Sequence, residues 1–214
     1  MSNSEVIGPS PDLPGFGMTY CIRRYLKMVQ ILRMIILVTG PARSGKSEWA
    51  EQLAQQSGKS VVYLATAQID PTDQEWQARI TQHQQRRPRH WPTWAEPIAL
   101  ADRLGQLQPQ HCCLIDSLGT WLANLLEQDE STWKATVAEL LQVLRTQSAD
   151  LIFVSEETGW GVVPAYPLGR LFRDRLGSLT RQIATIADVT YLVTGGHVLN
   201  LSQLGQKLDI NGTP

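Results

Sequence analysis

Residues 40–47 read Gly40-Pro41-Ala42-Arg43-Ser44-Gly45-Lys46-Ser47, which matches the phosphate-binding pattern G-x-x-x-x-G-K-[ST] at every fixed position. In such a loop backbone N–H groups surround an anion. The lysine reaches the β- and γ-phosphates, and the closing hydroxyl takes magnesium. The expected ligand is therefore a nucleoside triphosphate with Mg2+, held by Lys46 and Ser47. The pattern does this work only between a strand and a helix. Met34 to Thr39 is a β-branched apolar run, and Glu48 to Ala54 reads as a helix. The loop then gains the positive end of a helix dipole.

Three further groups could do chemistry. Asp116 ends an apolar run, where an aspartate is the usual partner for the magnesium of a phosphate loop. The alternative is a cap on a helix starting at Leu118. His83 lies on a predicted helix over 73–86, where it shares a face with Trp76 and Ile80 and has Arg79, Arg86 and Arg87 for neighbours. A neutral imidazole among arginines can attack phosphorus. From the residues alone, a solvated histidine on a polar helix is the commoner case. Glu156 and Glu157 precede a Gly159-x-Gly161 loop and are candidates for base or magnesium work, or for solvated positions in an ordinary turn. His90, His111 and His197 have no metal-ligand spacing.

The elements that must position these groups alternate along the chain. Strands are expected at 34–39, 60–66, 112–116, 151–155 and 189–194. Helices are expected from the loop to Ser57 and over 73–86, 98–107, 118–127, 132–147 and 167–187, with 87–97 a structured Pro- and Trp-rich loop. This predicts an α/β fold, a mostly parallel sheet flanked by helices, P-loop NTPase-like, as a single domain over 34–214. Residues 1–17 hold three prolines, three glycines and three serines, so 1–33 reads as a disordered extension with Met34 opening the first core strand.

Composition narrows the function. The 214 residues are 43% hydrophobic and 18% charged, with a formal net charge of −1, so no basic field argues for nucleic acid or an anionic membrane. No apolar stretch reaches the roughly 18 residues that span a bilayer. Cys112 and Cys113 sit side by side in an apolar run and read as reduced core thiols, and a cytoplasmic location is expected.

Taken in order, these segments resemble the bifunctional adenosylcobinamide kinase/adenosylcobinamide-phosphate guanylyltransferase family of cobalamin biosynthesis. The matching pieces begin with the 40–47 loop and Tyr63-Leu64-Ala65-Thr66-Ala67. Arg79-Ile80 with His83, Arg87-Pro88, Trp91 and Glu96 follow. Next are Asp116-Ser117-Leu118, Trp121-Leu122 and Asn124-Leu125-Leu126. Glu157 with Gly159, Gly161, Val163 and Pro164, then Phe172-Arg173-Asp174 with Gly177, complete the series. The resemblance implies phosphorylation of adenosylcobinamide by ATP or GTP. GMP transfer from GTP to the phosphate would follow, through a GMP-histidine intermediate at His83. It also implies nucleotide contacts at 40–47, Thr66, Ala67, Gln84, Gln85, Arg86, Arg87, Glu96 and Asp116, and a homo-oligomer, trimers being known. Departures are Glu156-Glu157 where relatives usually have Asn-Glu, Thr180-Arg181 where an Asn-Gln pair is frequent, and the Gly195-Gly196-His197 segment. The alternatives are another P-loop small-molecule kinase without guanylyl transfer, or a GTP-regulated binding module. The sequence lacks the Asn-Lys-x-Asp tetrapeptide with which a GTPase switch reads guanine, which argues against the second.

Overall fold

The structure is a computed structural model that describes residues 33–68 and 72–208, without the side chains of Glu75, Trp76, Arg79, Gln82 and His83. Among the described residues there are seven strands: β1 (Ile35–Gly40), β2 (Ser60–Ala65), β3 (Thr93–Ala95), β4 (His111–Asp116), β5 (Asp150–Glu156), β6 (Val189–Thr194) and β7 (His197–Asn200). Between them run α1 (Lys46–Gln56), α2 (Gln74–Arg86), α3 (Leu100–Gly105), α4 (Leu118–Asn124), α5 (Glu130–Thr146), α6 (Pro167–Ile186) and α7 (Leu201–Leu204). The strands form one sheet in the order β3-β2-β4-β5-β1-β6-β7, parallel except for the antiparallel β6–β7 pair.

Alternating strand residues feed two cores, as a sheet covered on both faces requires. Ile35, Leu37, Leu64, Ile115, Leu151 and Phe153 pack with Leu104 of α3, Trp121 of α4, Leu140 of α5 and Leu179 of α6. Ile36, Val38, Tyr63, Leu114, Ile152 and Val154 pack with Ala50 and Ala54 of α1 and with Trp91. Burial pushes the Cys112 thiol up to about 11 and Cys113 higher still, so both are neutral packing groups.

Two strands and the short helix α7 go beyond the sequence reading. The 87–97 loop contains β3, which pairs with β2 from Tyr63↔Thr93 to Ala65↔Ala95. The sheet also continues past Thr194: Gly195 and Gly196, both at positive φ (58° and 76°), turn the chain back into β7. Two adjacent positive-φ residues are the geometry of a tight hairpin turn, which glycine adopts without strain.

The expected extension over 1–33 lies outside the described residues except for Arg33. The Arg33 guanidinium donates to the Leu144 carbonyl and, at 2.9 Å, to that of Gln147, at the end of α5. The compact unit likewise begins at Arg33. Removing residues 1–32 should leave the calorimetric transition unchanged. Removing Arg33 as well should cost about 1–2 kcal/mol, roughly 2–8 °C for a domain of this size. An insoluble 33–214 fragment, or one without a cooperative transition, would refute this.

Candidate functional site

Parallel strands bring their carboxyl ends, and the loops that follow, to one edge of the sheet, where ligands of such folds bind. At that edge β1 ends in Gly40, β4 in Asp116 and β5, which lies between them, in Glu156.

The phosphate loop is shaped by its own glycines. A Cβ on Gly40 would lie 2.3 Å from the Val193 carbonyl oxygen of β6, so only glycine lets the loop leave β1 here. Gly45 caps α1 at φ 92°, a left-handed conformation natural to glycine, and its carbonyl accepts from the Trp49 amide at 3.0 Å. Arg43 is a non-glycine residue at positive φ (59°), so the loop holds a bend that an ordinary turn avoids. Lys46 and Ser47 are buried in the first turn of α1, and the Lys46 ammonium donates to the Pro41 carbonyl at 3.4 Å. The Ser44 hydroxyl is buried and finds no hydrogen-bond partner among the described residues. A buried hydroxyl without a partner is costly in an ordinary loop and suits one that closes on an anion. Ala42 and Arg43 are exposed and Pro41 half-buried.

Asp116 faces this loop. One carboxylate oxygen lies 3.5 Å from the Ser47 hydroxyl and the other accepts from the Tyr63 hydroxyl at 3.0 Å. Burial and the Asp116 charge push the Tyr63 phenol well above its ordinary range, so it stays protonated and donating at any working pH. The Arg87 guanidinium stacks over the same ring, 3.5 Å from its centroid. A continuous chain thus runs from Arg87 through Tyr63 and Asp116 to Ser47. A serine hydroxyl and an aspartate carboxylate facing each other at a helix N-terminus are hard oxygen donors, which is what magnesium takes. The donor set fits that ion. The expected alternative role of Asp116, capping α4, falls to Ser117, whose hydroxyl accepts from the Thr120 amide.

The other sequence candidates occupy varied settings. Arg86, at the end of α2, pairs with Glu48 and, at 3.0 Å, with Glu51, both on α1. Gln84 and Gln85 are exposed on α2, and His83 lies on the same helix. Thr66 is wholly buried just past β2. Its hydroxyl accepts from the Ser117 amide at 2.9 Å and lies 2.7 Å from the Ser117 carbonyl oxygen, so it holds the β4–α4 turn rather than facing solvent. Ala67 follows, half-buried. Glu96 accepts from the Ile98 and Ala99 amides at 3.2 and 2.8 Å, ordering the entry to α3. Glu156 and Glu157 are not solvated turn residues. Glu157 accepts from the Thr39 hydroxyl at 2.6 Å and its amide donates to the Gly40 carbonyl at 2.9 Å, and Glu156 is bound to the β4–α4 turn. Tyr63 was not among the expected site residues. Its signal is positional: Tyr63 pairs with Leu114, two residues before Asp116 on the same strand face, and a phenol is long enough to span that step.

Residues 36–201 match the sequence model of the family described as cobinamide kinase / cobinamide phosphate guanyltransferase. The chain belongs to this family. It is 44% identical over 162 residues to a bifunctional adenosylcobalamin biosynthesis protein, CobP, of Pseudomonas aeruginosa, covering 74% of this chain and 92% of that one. It is 37% identical over 179 residues to the bifunctional adenosylcobalamin biosynthesis proteins CobU of Escherichia coli and of Salmonella typhimurium, covering 76% of this chain and 97% of each. The match to the cobinamide kinase/guanyltransferase family spans the phosphate loop, α2 and Asp116 alike, so the Arg87–Tyr63–Asp116–Ser47 chain lies wholly within the family region.

Proposed function

We propose that this protein phosphorylates adenosylcobinamide with ATP or GTP and then transfers GMP from GTP to the resulting phosphate, giving adenosylcobinamide-GDP and pyrophosphate. The observation that carries this reading is the family match over residues 36–201, a span that includes the 40–47 loop, His83 and Asp116. One triphosphate site serves both reactions. Residues 40–47 hold the phosphates through backbone amides and the positive end of α1. Thr66, Ala67, Gln84, Gln85, Arg86, Arg87 and Glu96 surround the nucleotide, Thr66 and Glu96 by ordering the loops next to it. Ser47 and Asp116 hold Mg2+, which supplies charge neutralisation to the phosphate oxygens.

In the kinase step a corrinoid hydroxyl oxygen bonds to the γ-phosphorus, the bond to the bridging oxygen breaks, and the nucleoside diphosphate leaves as the hydroxyl proton passes to solvent. Lys46 follows the charge onto the departing phosphate. In the second reaction the imidazole of His83 attacks the α-phosphorus and pyrophosphate leaves. A phosphate oxygen of the corrinoid then displaces the imidazole. A P–N bond is labile, so one difficult transfer becomes two easier ones. A homo-oligomer is part of the same reading. Among the described residues no helix is long and apolar enough to cross a membrane.

The test is incubation with GTP labelled at the α-phosphate. An adduct that is lost in acid and kept in base, formed with release of pyrophosphate, is expected. Phosphorylation of adenosylcobinamide without adduct or pyrophosphate would instead mark a small-molecule kinase.

A further inference from the structure

We propose that Glu156 is a positioning residue for the metal–nucleotide site: seated over Gly119, its carboxylate fixes the turn after β4 so that Asp116 is presented to Ser47. The proposal rests on the reading of Ser47 and Asp116 as the magnesium ligands.

The sheet order sets up the arrangement. β5 separates the strand that feeds the phosphate loop from the strand that ends in Asp116, so Glu156 stands between the two halves of the site, in register with Gly40. Its side chain spans the gap to the β4–α4 turn. One oxygen accepts from the Ser117 hydroxyl at 2.5 Å and the other from the Gly119 amide at 3.0 Å. Both donors lie within three residues of Asp116. From the opposite side the Thr66 hydroxyl grips the backbone of Ser117. The turn that aims Asp116 is thus clamped between β2 and β5.

Gly119 makes this possible. A Cβ there would lie 2.2 Å from a Glu156 carboxylate oxygen and 2.9 Å from its carboxyl carbon. The carboxylate occupies the space that a side chain at residue 119 would fill. The clamp also divides labour between two carboxylates that would otherwise compete for the same cation. Glu156 spends its oxygens on Ser117 and Gly119, while Asp116 turns to Tyr63 and Ser47. Burial raises the Glu156 carboxyl, and the Ser117 hydroxyl and the Lys46 charge oppose that rise, as fits a group engaged by donors inside the site.

Gly119→Ala gives an indirect way to break the clamp, because the three atoms nearest the added methyl all belong to the Glu156 carboxyl, which must move away. Binding of a non-hydrolysable GTP analogue is measured with and without Mg2+ for the full chain, for Glu156→Ala, Gly119→Ala and the double variant, alongside thermal transitions. Each single variant should lower the Mg2+-dependent gain in affinity about tenfold, the scale seen when a group that orients a metal ligand is lost. Metal-free binding should stay unchanged. The double variant should be no worse than either single one, since both remove the same contact. Glu156→Gln, which still offers one acceptor to Gly119, should keep most of the gain. Additive losses, or a Mg2+ gain untouched in Glu156→Ala, would overturn the proposal and leave the metal ligands standing. If the unmodified chain shows no Mg2+ gain, the assignment of Ser47 and Asp116 falls, and this proposal with it.

Discussion

Lys46→Met will depress phosphoryl transfer and guanylyl transfer together, each by about 10²- to 10³-fold, the loss typical when one preorganised donor to developing charge is removed. The two reactions cleave different bonds of the triphosphate, yet both are expected to draw on the 40–47 loop to hold it. The ammonium makes a charge-assisted contact that strengthens as negative charge moves to the leaving phosphate, so most of the loss will appear in kcat rather than KM. The fold will tolerate the change. Lys46 is buried, but its ammonium makes a long 3.4 Å contact to the Pro41 carbonyl, and methionine fills a similar unbranched volume. The thermal transition should therefore move little. Kinase and guanylyltransferase assays on the same preparation decide the point, and guanylyl transfer at the unmodified rate would show that the two activities use separate phosphate sites.

His83→Ala will separate the activities instead. Covalent GMP labelling and pyrophosphate release should fall by at least about 10³-fold, because a lost nucleophile is not replaced by stabilisation elsewhere. Kinase activity should remain measurable, since a γ-phosphoryl passes directly to a hydroxyl. His83 lies within the 13-residue α2, and alanine is the best helix former, so the circular dichroism spectrum should not change. Intact-mass spectrometry after GTP incubation reads the outcome directly. A variant that still gains one GMP, or an unmodified chain labelled on another residue, would remove His83 from the mechanism.

The parts of this protein that follow from local pattern were legible in its sequence. The 40–47 loop matches a fixed pattern, β1, β2, β4, β5 and β6 are short apolar runs between helical segments, and the Leu140, Leu141, Leu144 face of α5 follows the 3.6-residue period. β3 escaped because three residues, Thr93-Trp94-Ala95, are too few to show a period and follow a proline. β7 carried a readable sign, two glycines between apolar segments, but its four residues, His197–Asn200, are too few to show a period of two. At the site, Asp116 could be found by its place at the end of a strand. Glu156 could not be sorted from a solvated turn residue, because its role depends on a neighbouring strand's turn and on a missing Cβ 37 positions away. Such a contact is set by strand order, and nothing local to Glu156 encodes it.

The ion pairs of Arg86 give the site a mechanical character. The helix that carries the proposed nucleophile is moored, one turn beyond it, to the helix whose first turn receives the phosphates. The attacking group and the phosphorus it must reach are therefore coupled through a joint of charge that bypasses the sheet. Its arms to Glu48 and Glu51 differ in stiffness. The arm to Glu51 is shielded, that side chain being 8% exposed, whereas the arm to Glu48 stands half in water at 50%. Mobile ions weaken the outer arm well before the inner one. Salt will therefore slacken the swing of α2 about its anchor without casting it loose, and the guanylyl half of the chemistry, which needs His83 as well as the shared phosphate site, will register ionic strength more steeply than the kinase half.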